Sequence, residues 1–328
     1  MEKNRRKIIW NQIYKKYATQ ITLLLALLLL GVILSFASPY FLSFANFMNI
    51  GVAIAVPGTL AAGLTVSMIM GCIDLSQYAV MAFTGIVTGM LMERNFPPAA
   101  AIGTAVLMGL AIGAVNAFLV TNMYIEAMIA TIAMQLMCRA GAYLANNSQY
   151  VKITNPLYNT IGFGRVFGIP IEILIMLLVF VLIGYVLKNT VFGRQVYAVG
   201  GNAQVSELAG IDVKKMKFLG FVISGAAAGL GAVLLCAQVG SAMPSSGTGN
   251  EMDGITAVFL GGVAFTGWKG YVWGTLIGVL LLQVLSNGMT LLGMPPFFQQ
   301  FIKGLVLLAS VYSDVLRGRK LRMSKGKA

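Results

Sequence analysis

Apolar residues in this chain come in long uninterrupted runs, and the polar residues gather in the breaks between them. Ten runs have the character of membrane helices: residues 19–36, 50–70, 78–92, 99–120, 125–144, 169–187, 218–239, 255–265, 271–292 and 297–312. A helix needs about 17–25 apolar residues to cross the hydrocarbon core of a bilayer, a length most of these runs reach or approach. The run at 255–265 is short, so its helix is expected to begin earlier or to enter the membrane only part-way. The first run is longer than the roughly 7–15 residues of a signal-peptide core and is read as an uncleaved membrane helix. The pattern predicts an all-α polytopic membrane protein, one transmembrane domain over residues 1–328.

Two of the breaks resemble each other. Gly71-Cys72-Ile73-Asp74-Leu75-Ser76-Gln77 follows a span that runs inward, and the Gly/Ser-rich stretch 240–254, with Glu251 and Asp253, follows one that runs outward. Similar helix-break-helix units in opposite orientations are what an inverted repeat with broken helices produces.

Composition strengthens the membrane reading. Of the 328 residues 58% are hydrophobic and 10% charged, against about 25% charged in soluble domains. The net charge is +13, and the positive residues are concentrated in three places. Lys3, Arg5, Arg6, Lys7, Lys15 and Lys16 lie near the start, and Arg317, Arg319, Lys320, Arg322, Lys325 and Lys327 near the end. Lys188, Arg194, Lys214, Lys215 and Lys217 lie in or beside the long polar loop of the middle. Basic segments resist translocation, so segments 1–18, 188–217 and 313–328 are expected in the cytoplasm, with the N and C termini both inside. Only Arg94, Lys152 and Arg165 of the 23 Lys and Arg then fall outside, and Arg139 and Lys303 within spans. An odd number of spans would put one basic terminus outside. A nucleic-acid partner needs a folded basic surface with aromatic interleaving, which this distribution does not supply. A multi-pass protein of a bacterial inner membrane, with lipid as its surroundings, is expected.

Catalytic and metal chemistry find little support. The chain has no histidine, and Cys72, Cys138 and Cys236 lack any paired spacing. No Gly-Lys-Ser or Gly-Lys-Thr phosphate loop occurs, so the chain is not expected to hydrolyse ATP. No enzyme activity, cofactor or metal is expected. Polar groups in membrane segments are costly and mark candidate function. Asp74 and Ser76 sit in the first break, where Asp74 either caps the following helix or serves substrate contact or gating. Asn116, Gln135, Gln283, Ser286 and Asn287 either join helices or line a passage for a hydroxyl-rich solute. Arg139 needs a partner, a water-filled cavity or a place near the interface. Gly225, Gly229 and Gly231, and the Gly274-x-x-x-Gly278 spacing, point to close helix packing.

The middle loop reads Phe192-Gly193-Arg194-Gln195-Val196-Tyr197-Ala198-Val199-Gly200-Gly201-Asn202, then Glu207-Leu208-Ala209-Gly210-Ile211. It resembles the cytoplasmic loop of the ribose-type sugar permeases of ATP-binding-cassette (ABC) importers. Gly71-Cys72-Ile73-Asp74-Leu75-Ser76, Phe259-Leu260-Gly261-Gly262-Val263 and Gln299-Gln300-Phe301-Ile302-Lys303-Gly304 are similar, in order, to three further motifs of that family. Cys72, Gln77-Tyr78, Val205-Ser206 and Trp268 depart from its usual pattern. The resemblance implies a passage for a monosaccharide or similar polyhydroxylated solute. It also implies a cytoplasmic ABC ATPase, an extracytoplasmic solute-binding protein and a second permease subunit, either another copy or a related chain. Gly193, Arg194, Gly200, Gly201, Asn202, Glu207 and Gly210 would then belong to the loop that contacts the ATPase. The alternative is a secondary transporter driven by an ion gradient.

Overall fold

The computed structural model describes the backbone of residues 2–265 and 267–325, and the side chains of residues 20–312 apart from positions 157 and 266. The basic clusters from Lys3 to Lys16 and from Arg317 to Lys327 lie outside the described side chains. The helices are α1 (Glu2–Ala37), α2 (Phe44–Ile69), α3 (Gln77–Glu93), α4 (Pro98–Thr121), α5 (Ala127–Ala145), α6 (Pro156–Phe163), α7 (Ile171–Asn189), α8 (Val191–Gly201), α9 (Ala203–Leu208), α10 (Val213–Val239), α11 (Glu251–Leu260), α12 (Val272–Leu291) and α13 (Pro296–Lys325). Strands β1 (Val151–Lys152) and β4 (Ser241–Ala242) form an antiparallel pair, and β2 (Arg165–Val166) and β3 (Ile169–Pro170) a hairpin. Each apolar run falls on one helix, and seven helices among the described residues are long and apolar enough to cross a membrane: Gln20–Ala37 within α1, then α2, α4, α5, α7, α10 and α12. The chain is a polytopic, mostly α-helical membrane protein.

The stretch read as a polar loop, 188–217, is instead mostly helical. Three short polar side chains cap three successive helices. Thr190 Oγ1 accepts from Gly193 N at 3.2 Å, Asn202 Oδ1 from Val205 N at 3.0 Å, and Asp212 Oδ1 from Lys215 N at 2.9 Å. Such caps satisfy amides that the first turn of a helix leaves unpaired. Lys214, Lys215 and Lys217 therefore lie on the start of α10. The short eighth run begins earlier than its apolar residues, at Glu251, and its helix ends at Leu260.

α2 reaches Ile69, and the chain then turns back among the helices before α3 begins. Gln77 Nε2 donates to Leu60 O at 3.1 Å. At about 1.5 Å per residue, that contact lies roughly 13 Å in from the end of α2. After α10, residues 240–250 turn inward from the opposite end, and α11 starts where Tyr78 of α3 packs against Gly247 and Gly254. The first turns of α3 and α11 thus meet inside the bundle, with the two helices leaving toward opposite ends. α3 packs on α4 and α5 as α11 packs on α12 and α13.

A close helix approach joins α4 to α10. A Cβ on Gly225 would overlap Gly109 O, and one on Gly229 would overlap Ala105 O, so the two backbones touch. Gly274 and Gly278 bring α12 equally close to Gly261 and Ala257 at the end of α11. Small residues allow this where lipid provides no hydrophobic drive between helices.

Glu172, in the first turn of α7, is fully buried and its two carboxyl oxygens have no hydrogen-bond partner. An acid at a helix N-terminus gains about 0.3–1 kcal/mol, whereas a buried polar group left unpaired costs about 1–3 kcal/mol. The second effect wins, and Glu172→Met, of similar length, is expected to raise the thermal midpoint of the detergent-solubilised protein.

Candidate functional site

A cavity of about 480 Å³ opens in the half of the bundle away from α8, inside the roughly 300–1,000 Å³ of small-molecule sites. α2 contributes Asn49 and Pro57, α10 Gln238, α11 Asp253, α12 Gln283, Ser286 and Asn287, α13 Gln299 and Lys303, and Tyr78 of α3 closes the inner side with Val56. Asn250, just before α11, also lines it. Its two charged groups face each other, with Lys303 Nζ donating to Asp253 Oδ2 at 2.7 Å. The other polar lining is mostly carboxamide, able to donate and accept at once. Asn287 exchanges two amide hydrogen bonds with Asn46, at 2.8 and 3.1 Å, fixing α12 against the start of α2.

The stretch before α11 is pinned beside this cavity. Arg139 of α5 donates to Pro244 O at 2.9 Å and Ser246 O at 2.7 Å, and its Nη2 lies 3.5 Å from Glu251 Oε1. Gln300 Nε2 donates to Gly249 O at 2.8 Å. The charge of Arg139 thus has carbonyls and a carboxylate to balance it.

Asp74, Ser76 and Asn116 form a separate buried cluster behind Tyr78. Asp74 Oδ1 accepts from Ser76 N at 3.0 Å and Ser76 Oγ at 2.6 Å, and Oδ2 accepts from Ser224 Oγ at 2.6 Å. Asn116 Nδ2 donates to Ser76 Oγ at 2.9 Å. Gln77 Nε2 reaches Ser224 Oγ at 2.9 Å. The carboxylate therefore ties the start of α3 to α10, and Ser76 ties it to α4. Of the in-span candidates Gln283, Ser286 and Asn287 line the cavity, while Gln135 stands half-buried on α5 outside both groups. Gln283, Ser286, Gln299 and Lys303 were visible as polar positions in or near spans. The pairing of Lys303 with Asp253 crosses fifty residues and had no local signal.

At the other end, Gly193, Val196 and Val199 of α8 are buried, whereas Arg194, Gly201, Asn202, Glu207 and Gly210 are exposed. Beside them on α9 stand two apolar side chains that sequence reading passed over, Val205 at 59% and Leu208 at 89% exposure. Tyr197 Oη donates to Gly270 O at 2.8 Å, and burial pushes its phenol up to about 12, so it remains a donor at neutral pH.

Residues 46–311 match the family described as "Branched-chain amino acid transport system / permease component". The chain belongs to that family. It is a permease subunit of an ABC-type importer and a multi-pass membrane protein of the kind found in bacterial inner membranes, not a catalytic protein. It is 37% identical to the ribose import permease protein RbsC of Escherichia coli, over 89% of this chain and 92% of that one. The L-arabinose ABC transporter permease protein AraH of Azospirillum brasilense is 33% identical, over 92% and 89%. RbsC of Bacillus subtilis is 34% identical, over 88% and 91%. No solved structure matches. Family membership decides between the two transport readings in favour of an ATP-driven importer over an ion-coupled carrier.

Proposed function

We propose that this permease carries a monosaccharide or similar polyhydroxylated solute through the amide-lined cavity, driven by ATP hydrolysis on a partner subunit. The lining carries the reading. Six carboxamides, Asn49, Gln238, Asn250, Gln283, Asn287 and Gln299, surround one mutually neutralised Lys303–Asp253 pair. Such a lining matches hydroxyls, which also donate and accept, and offers no unpaired charge to an ionic solute. The sugars in the names of its relatives agree with that chemistry.

In this reading residues 1–328 form one permease domain of ten spans with both termini cytoplasmic. The α2–α3 and α10–α11 units, entering from opposite ends, are the inverted halves. The cavity then opens toward an extracytoplasmic solute-binding protein, and a second copy or a related permease completes the passage. An ABC ATPase docks on the exposed face of α8 and α9, where Leu208 and Val205 supply apolar contact and Arg194 and Glu207 charge. Leu208→Glu is expected to abolish co-purification of the ATPase while leaving the permease monodisperse in detergent.

The deciding experiment is reconstitution in proteoliposomes with the cognate ATPase and solute-binding protein, measuring uptake of labelled ribose, arabinose and leucine. ATP-dependent uptake of a sugar supports the reading. Uptake of leucine in preference to both sugars overturns the solute class, and uptake without ATP overturns the drive.

A further inference from the structure

Three separate stretches of backbone meet at one point beneath the bundle: the end of α8, the end of α2 and the turn between α11 and α12. Trp268 N donates to Ile69 O at 2.8 Å, which hydrogen-bonds the α11–α12 turn to the last residue of α2. Gly200 fits against both, since a Cβ there would overlap Ile69 O and stand 2.8 Å from Trp268 N. Gly267 has φ +81°, a conformation that L side chains rarely adopt, and a Cβ on it would stand 2.7 Å from Ile69 O, 2.9 Å from Gly71 N and 3.3 Å from Gly200 O. Tyr197, one turn before Gly200, reaches past this point to Gly270 O at 2.8 Å. Lys269 Nζ lies 3.9 Å from the centre of the Trp268 ring on the exposed side.

The place of this junction gives it a consequence. Ile69 ends the helix that leads into the Asp74 break and α3. Residues 261–271 join α11, whose first turn holds Asp253, to α12, which carries Gln283 and Asn287. α8 therefore touches, through backbone atoms with no side chain between, the roots of both broken-helix units. Packed backbone transmits displacement because it has no rotamer to absorb it.

We infer that the Gly200–Ile69–Trp268 junction, latched by Tyr197 on Gly270, is the transmission point through which movement of α8 displaces both broken-helix units together. Gly200, Gly267 and Tyr197 are positioning residues: they touch neither solute nor nucleotide. The inference rests on the importer reading above, in which α8 and α9 receive the ATPase.

The test compares Gly200→Ala and Tyr197→Phe with the unaltered chain, each in the full complex in proteoliposomes, reading sugar taken up per ATP hydrolysed in the presence of solute-binding protein. Gly200→Ala forces Ile69 and Trp268 apart, and Tyr197→Phe removes one hydroxyl while keeping the ring. Both are expected to lower the transport-to-hydrolysis ratio by about fivefold or more, the lower end of coupling free energies between sites, with ATPase co-purification retained. A fold defect would lower uptake and hydrolysis in parallel and leave the ratio in place. An unchanged ratio in both variants overturns the inference. Should Gly200→Ala fail to accumulate, Tyr197→Phe alone decides. If the unaltered complex shows no ATP-dependent uptake, the importer reading itself fails, an outcome distinct from variants that keep a normal ratio.

Discussion

Gly225→Val is expected to abolish accumulation of folded protein. A Cβ at Gly225 would overlap Gly109 O and stand 2.9 Å from Gly113 Cα, and valine adds two further methyls that β-branching holds close to the backbone. Overpacking a core ordinarily costs about 1–3 kcal/mol because side chains shift to make room. Here the obstacle is the backbone of α4, so relief requires moving a whole helix. Gly229 pressing on Ala105 O and Gly113 pressing on Phe221 O would separate together. The measurement is the monodisperse fraction in size-exclusion chromatography after detergent extraction. Gly103→Val is the control, because a Cβ at Gly103 meets nothing within 4 Å on the same α4. Equal recovery of the two variants would show that the α4–α10 contact is not rigid.

That contact also shows what the sequence could and could not reveal. Gly225 and Gly229 signal close packing by their four-residue spacing, but nothing local tells them to face Gly109 and Gly113, more than a hundred residues away. The helices themselves were legible because lipid demands one property of a span, long uninterrupted hydrophobicity, and seven helices among the described residues meet it in full, while the short run at 255–265 outlasts its helix, which ends at Leu260. The stretch 188–217 was misread for the complementary reason. Its helices lie outside that demand, they are short, and Gly193, Gly200 and Gly201 mask them; the caps at Thr190, Asn202 and Asp212 were the available signal. In the site, an isolated polar residue in a span announces that it has a partner without saying which. Asp74 proved to satisfy Ser76 and Ser224 within the protein, whereas Asn287 faces a cavity. Both look alike along the chain, since the difference lies in which helix stands opposite.

Lys303→Met is expected to reduce ATP-dependent uptake by about tenfold or more, with less harm from the double variant Lys303→Met/Asp253→Asn. The two side chains are 19% and 23% exposed, so their pair is mostly shielded from bulk water. Removing one member of a buried pair costs about 3–5 kcal/mol, and water in the cavity reduces that figure without cancelling it. What remains after Lys303→Met is a carboxylate at Asp253 with no other cation in the described lining to oppose it, since Arg139 is engaged with Glu251 two residues before. The first turn of α11 can then recover only by drawing in water or another cation, which alters the cavity beside Tyr78. Asp253→Asn alone leaves the lysine unopposed, but the ammonium sits on a long stem and can turn toward water, so a smaller loss is expected. The double variant removes both charges and restores a neutral lining. Uptake and ATP hydrolysis in the reconstituted complex, measured for both single variants and the double, complete the cycle. If the cavity is the solute's route, the coupling between the two substitutions appears in uptake, and hydrolysis without solute-binding protein stays the same. Full uptake by Lys303→Met would mean that the solute crosses elsewhere and that the pair serves only to hold α13 against α11.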